Sequence, residues 1–464
     1  MGYPTSSSTN NSVANAVANV AMKGNKVISY GANFVKAKTI APVATQITQE
    51  SAVKAAESVT GATYNLHPIE LQYFIKDTRW PNRGHVILAY VVEVENDETH
   101  EWYSVHVDSN SGEIASIADF TWRLTSYRVT PFTSQDLTDA GFTVVTDPFD
   151  KIASSDGRHH YNTITTTSTS GNNVLVYTGS TSITTSQSNP TNIYDYVYNS
   201  NISATQGTNP DAARVNVFYI VNMLHDLTTQ HNFQQDNRRL GGLANDRVKV
   251  QVQSSLGSVI TVLADGRPAR IWLGVYSCGD SAYQNDMTAH EYMHGVNGRL
   301  TGGGTATCFQ AFDAHVLDEG WADSLPNLIQ RTNATDRDFV VGKWVYPTLL
   351  TLQQHDSLRG AQLWAIIWHE ITVALIQKHG FSTNLFDLTL IYGNTIILHL
   401  TIDTLISQPC NLTFINARDA IIQADANRYS GANKCILWNA FAKRKLGYGA
   451  TSAKANSETL PPGR

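Results

Sequence analysis

The order of hydrophobic patterns along these 464 residues predicts an α+β protein of two or three domains. Three observations carry that expectation. Apolar and polar residues alternate between residues 87 and 122, as strands with one buried face require. Helical spacing sets in near Asp211, after a Thr-, Ser- and Asn-rich stretch. Beyond Asp286 helical patterns dominate.

Residues 1 to about 65 are rich in Ala, Val, Ser and Thr, with a helix expected over 48–59. In the alternating region Val92 and Val94 interleave with Val91, Glu93 and Glu95, and Tyr103, Val105 and Val107 with Ser104, His106 and Asp108. The turn NSGE at 110–113 reverses the chain into a further strand, closing a small α+β unit near Leu124. From 126 to 189 short runs such as FTVV and VLVY fit either β-structure with long loops or a linker. Val217, Ile220, Val221 and Leu224 then mark a helix, VKVQVQ alternates strictly, and ARIWLGVYS reads as a strand. Helices are expected in the HEYMH segment and over 318–331, 360–378, 387–405, 412–426 and 435–445. The domain limits that follow are 1–125, a β-rich lobe 126–286, a helical lobe 287–450, and a polar tail 451–464.

Composition narrows the function classes. Hydrophobic residues make up 42% and charged ones 16%, enough apolar material for substantial cores. A net charge of −6 without a long basic run argues against nucleic acid or an anionic membrane as partner. No run approaches the roughly 20 apolar residues that cross a bilayer. The first 25 residues lack the basic and uninterrupted apolar parts of a signal peptide, since Asn15 and Asn19 break the segment 13–22. Cys278, Cys308, Cys410 and Cys435 allow three full pairings, and no CxxC is present to make a thiolate metal site. With sequons beginning at Asn10, Asn201, Asn333 and Asn411, the even cysteine count leans towards an oxidising, secretory setting.

The chemistry centres on MTAHEYMHGVNGRL, residues 287–300. On a helix His290 and His294 lie one above the other and can present two imidazoles to one metal ion. Glu291 stands beside that face, placed for a water rather than for the metal. Composition alone produces HExxH in a chain of this length at roughly a few per cent, so a third ligand is the discriminating requirement. LDEGWADS at 317–324 supplies Glu319, and Asp323 one turn on could hold a ligand histidine through its second nitrogen. Elsewhere His225 reads as structural, and His159 and His160 as solvated residues of a polar loop. The HE at 369–370 has Val373 where a second histidine would be needed.

HEYMHGVNGRLTGG followed by EGWAD resembles the fungalysin family, the fungal extracellular metalloproteinases, whose motif runs HEYxHG…NRLTGG…GEGWSD. VTDPFD, VNMLHDL, NFQQDN, NDRVKVQVQ, LISQPCNLTFINARDAIIQADA and GANKCILWNAFAKRKLG match in order. The segment ending VHVDSNSGEIASIADFTW is similar to the second part of that family's propeptide. The resemblance implies a two-lobed, thermolysin-like catalytic region with one Zn2+ per chain on His290, His294 and Glu319. It implies Glu291 as catalytic base and Asp323 as support. The implied activity is endoproteolysis, typically before a hydrophobic residue, by a secreted monomer inhibited by its own propeptide until cleaved. Cys410 with Cys435 is the implied disulfide, leaving Cys278 and Cys308.

Departures from the family accompany these matches. The stretch 345–364 is short, leaving His355 as the nearest histidine for stabilising the tetrahedral intermediate. Pro326 is expected to kink the Glu319 helix. A trimmed loop precedes the strand 269–275, where Arg270, Ile271 and Trp272 are expected to pair with an extended substrate. The alternative to an active protease is a catalytically impaired relative that serves as a zinc-containing binding or decoy protein.

Overall fold

The computed structural model describes residues 13–14, 18–23, 26–32, 37–76, 84–96, 101–119, 125–146, 149–150, 153–154, 157–161, 164–189, 192–230, 246–264, 266–277, 279–335, 356–387, 389–453 and 455–462. They fall into two compact units, Met1–Leu124 and Thr125–Arg464.

In the first unit β1 (Ala18–Lys23) and β2 (Lys26–Ala32) form an antiparallel pair. A six-stranded sheet contains β3 (Thr39–Ile40), β4 (Thr63–Tyr64), β5 (Glu70–Lys76), β6 (His85–Asn96), β7 (Glu101–Asp108) and β8 (Ile114–Asp119). The long β6 is its spine, pairing with β3, β4 and β5 as well as with β7. Helix α1 (Gln49–Thr60) begins where Thr48 Oγ1 accepts from Ser51 N and ends at Gly61 in the left-handed region. Its small Ala52 and Ala56 pack on Val92, Val94, Val105 and Val107, the apolar phase of the alternation.

The second unit opens with β9 (Ser126–Val129), α2 (Leu137–Ala140), β10 (Thr143–Thr146), β11 (His160–Tyr161), β12 (Ile164–Thr165), β13 (Val174–Tyr177) and β14 (Ile193–Tyr194). The stretch from 126 to 189 is therefore β-structure rather than linker. His159, read as solvated, is instead buried. Its ring stacks on Tyr194 and Phe218 at centroid distances of 4.6 and 4.8 Å. Nδ1 faces the Ser168 carbonyl at 2.9 Å and so carries the proton, while Nε2 accepts from the Tyr127 hydroxyl at 2.7 Å. The polar sequence around it gave no sign of this cage, because the rings come from distant positions.

Helix α3 (Asn209–Gln230) leads to β15 (Val248–Ser254), β16 (Val259–Thr261), β17 (Arg270–Tyr276) and β18 (Gly279–Asp280). With β13 they make a five-stranded sheet of order β13-β15-β17-β16, β18 pairing with β17. Among the described residues six α-helices follow: α4 (Asn285–Leu300), α5 (Phe312–Ile329), α6 (Asp356–His379), α7 (Gly393–Ser407), α8 (Phe414–Tyr429) and α9 (Lys434–Lys443). One core runs from Val250 and Ile271 in the sheet through Phe218, Met293 and Val296 to Trp321, Trp364 and Ile397.

Two local expectations are revised. Helix α5 starts at Phe312 rather than near 318, because Asn411 Oδ1 accepts from Gln310 N and Ala311 N and orders the approach to it. It runs past Pro326 and ends at Ile329, close to the expected limit. The disulfide joins Cys308 to Cys410, with Cα atoms 4.4 Å apart, not Cys410 to Cys435. The loop after α5's predecessor, α4, and the turn after α7 bring the pair together, whereas Cys435 sits exposed as a free thiol in the first turn of α9.

Candidate metal centre

Helix α4 is buried along most of its length, and polar anchors fix it at both ends. Asn285 Nδ2 donates to the carbonyls of Pro131 and Ser134, and Gln135 Nε2 donates to Asp286 Oδ2 at 2.9 Å. At the other end Arg299 forms a buried ion pair with Asp246. Ala289, Met293 and Val296 bury one face, leaving His290 and His294 on the flank that meets α5. On α5, Gly320 permits a close crossing with α6: an added Cβ would stand 2.9 Å from the Ala361 carbonyl and 2.7 Å from Trp364 Cβ. That crossing and the packing of Trp321 on Trp364 and Trp368 set the height of the neighbouring Glu319.

The two helices bring three donor atoms into a triangle. His290 Nε2 lies 3.2 Å from His294 Nε2, and Glu319 Oε2 lies 3.5 and 3.7 Å from them. Ligands about 2.0–2.1 Å from a tetrahedral zinc stand about 3.3 Å apart, so the triangle has the size that ion requires. Among the described residues this trio is the one cluster of metal-ligating side chains. The remaining ring nitrogens are engaged: His290 Nδ1 donates to Asp323 Oδ1, and His294 Nδ1 to Asp318 Oδ2, each at 2.9 Å. Both Nε2 lone pairs are thereby turned towards the triangle.

The electrostatics favour a cation. Burial alone would depress both imidazoles. Hydrogen bonds to Asp323 and Glu319 outweigh it at His290, which is held well above the usual histidine range. At His294 burial is likewise opposed, mainly by Asp318, and the group is pushed up to about 9. Burial would raise Glu319, but His290 and His294 bring it down to about 2. Glu291 is buried beside them, and that burial lifts its carboxyl above the ordinary range against the pull of the two imidazoles. Four carboxylates, Glu291, Asp318, Glu319 and Asp323, around two imidazoles make a pocket prepared for positive charge.

His290, Glu291, His294, Glu319 and Asp323 are thus brought together. His355 lies outside the described residues. Arg270, Ile271 and Trp272 fall in β17, whose backbone already pairs with β15 on one side and β16 on the other. Among the described residues that stretch of β17 has no open edge; β16 ends the sheet on its far side, and its Val259, Ile260 and Thr261 oppose Trp272, Ile271 and Arg270. Gly298 of α4 lets the chain after β16 come close, since a Cβ there would stand 2.9 Å from Val262 Cγ1. Asp318 escaped the sequence reading, because its partners His294 and Asn297 are reached only across the α4–α5 contact.

The profile of the fungalysin metallopeptidase (M36) family matches residues 126–356 and 346–450. An extracellular metalloproteinase of Pyricularia oryzae is 31% identical over 97% of this chain and 82% of its own length. Extracellular metalloproteinases of Aspergillus flavus and Aspergillus fumigatus are each 30% identical, over 91% and 92% of this chain and 73% of their own.

Proposed function

The chain belongs to the fungalysin metallopeptidase family, and from that premise we propose that it is a secreted, zinc-dependent endopeptidase made as a zymogen. The observation that carries the reading is the triangle of His290 Nε2, His294 Nε2 and Glu319 Oε2 with Glu291 buried beside it. Two histidines, one carboxylate and room for water are the donor set of catalytic rather than structural zinc. When bound, zinc would supply Lewis acidity towards water and the peptide carbonyl.

The protein's own groups have definite tasks. Asp318 and Asp323 keep the imidazoles in the tautomer that points Nε2 at the ion. Glu291 takes a proton from the attacking water as the new C–O bond forms, then passes it to the amide nitrogen as the C–N bond breaks. An extended substrate would add to the sheet along β16, the strand on the α4 side. The first unit, with a core of its own, suits a propeptide that inhibits until cleavage near residue 125. The Cys308–Cys410 bond fits an oxidising destination, as do the relatives' extracellular names.

The test is zinc stoichiometry together with casein hydrolysis, with and without 1,10-phenanthroline, before and after cleavage near residue 125. One zinc per chain and chelator-sensitive hydrolysis that rises after cleavage is the expected result. Full zinc occupancy without hydrolysis of any of several substrates would favour a binding protein. A folded protein that takes up no zinc would sink the metal assignment.

A further inference from the structure

Residue 318 is glycine in the family motif GEGWSD but aspartate in LDEGWADS, and the structure gives that change a purpose. His294 and Asn297 lie one turn apart on the same face of α4. Asp318 meets both: Oδ2 accepts from His294 Nδ1 at 2.9 Å and Oδ1 accepts from Asn297 Nδ2 at 2.5 Å. Both carboxylate oxygens are committed, and the Asp318 side chain is fixed about its last torsion. Asn297 is itself held, because its Oδ1 accepts from Thr301 Oγ1 at 3.0 Å and from Gln408 Nε2 at 3.3 Å. Gln408 Nε2 also reaches Thr301 Oγ1 at 2.7 Å, and all three residues are buried. Gln408 lies two residues before Cys410, whose disulfide to Cys308 ties that turn to the loop following α4.

The two histidine supports therefore differ. Asp323 holds His290 through Oδ1 alone and is the more exposed carboxylate. Asp318 is the end of a buried chain of hydrogen bonds that begins at Gln408. We propose that Asp318, locked by Asn297 and Gln408, is a positioning residue that fixes His294 for metal binding and slows loss of the ion. This inference rests on the zinc reading above. It adds a second carboxylate–histidine arm where the family motif has no side chain, and assigns the buried Asn297–Thr301–Gln408 cluster to metal retention.

The experiment measures zinc affinity by chelator competition, and zinc release into a chromogenic chelator, on the full chain and on Asp318→Asn, Asp318→Gly, Asn297→Ala and the double variant Asp318→Gly/Asn297→Ala. Circular dichroism and apo-protein melting check folding. Removing such a support weakens metal affinity about 10–100-fold, and that loss is expected for Asp318→Gly, with a smaller one for the near-isosteric Asp318→Asn. Asn297→Ala should weaken binding in the wild-type background and add nothing to Asp318→Gly, since the two act as one unit. Unchanged affinity and release in both Asp318 variants would overturn the proposal. So would a lower melting temperature with affinity intact, which marks a merely structural role. Independent, additive losses would remove the lock by Asn297. A wild-type chain that binds no zinc would fell the underlying reading and this inference together, whereas zinc-loaded wild type with indifferent variants would fell this inference alone.

Discussion

His159 and His294 are both deeply buried in the second unit, yet their surroundings do opposite things to a positive charge. The rings of Tyr194 and Phe218, with a carbonyl and a phenol on the ring nitrogens, surround His159. Burial drives its imidazole down to about 3, aided by Arg158 and only partly resisted by the Ser168 carbonyl. His294 suffers burial too, but Asp318 and Glu319 face it and carry it up to about 9. The lesson is that burial does not decide a histidine's role; the formal charges of its partners do. The first setting closes a core, and the second waits for a cation.

The largest expected effect tests that distinction directly. Glu319→Leu should abolish stoichiometric zinc, read by metal analysis of the purified protein, while His159→Leu should keep it in whatever fraction folds. Zinc lost equally from the folded His159 variant would break the contrast. Next comes the strap behind the metal region. Cys308 and Cys410 close a loop of 102 residues, and replacing both with Ser is expected to cost about 4–5 kcal/mol of unfolding free energy in urea titrations.

The pH dependence sharpens the comparison further. The folded value of His159, about 3, lies below the unfolded value near 6.5, so the unfolded chain binds the proton first. Its contribution to stability is complete above about pH 6.5, declines on acidification and is exhausted near pH 3. His159→Gln should remove this term. Its stability deficit relative to the wild type should narrow by about 3 kcal/mol between pH 7.5 and 4.5. A deficit independent of pH would mean that the histidine is not held neutral. The smallest effect concerns Gly320, where alanine must push against Trp364 and the Ala361 carbonyl. About 1–3 kcal/mol of destabilisation is expected, with weaker zinc binding as Glu319 shifts.

What could be read from the chain follows the same division between local and distant partners. His290, Glu291 and His294 lie within about one helical turn, and Glu319 and Asp323 within another, so spacing made them candidates and the family resemblance gave them roles. The Val92–Val94 alternation likewise announced its sheet. Asp318 and Asn297 were illegible because they meet only across the α4–α5 contact. His159 was hidden because its cage is assembled from β9, β14 and α3. The 102-residue separation of Cys308 and Cys410 concealed their pairing, and the resemblance pointed to Cys435 instead. Strand β16 was lost in the short segment between two stronger patterns, which transferred its edge position to β17.

The central claim is that three ligands hold zinc and Glu291 handles the proton. Its most direct test pairs zinc analysis with peptide hydrolysis for wild type and Glu291→Gln, both cleaved near residue 125. The account predicts one zinc per chain in each protein, with turnover in the variant lower by at least about two to four orders of magnitude. Equal hydrolysis by the zinc-loaded variant would contradict it.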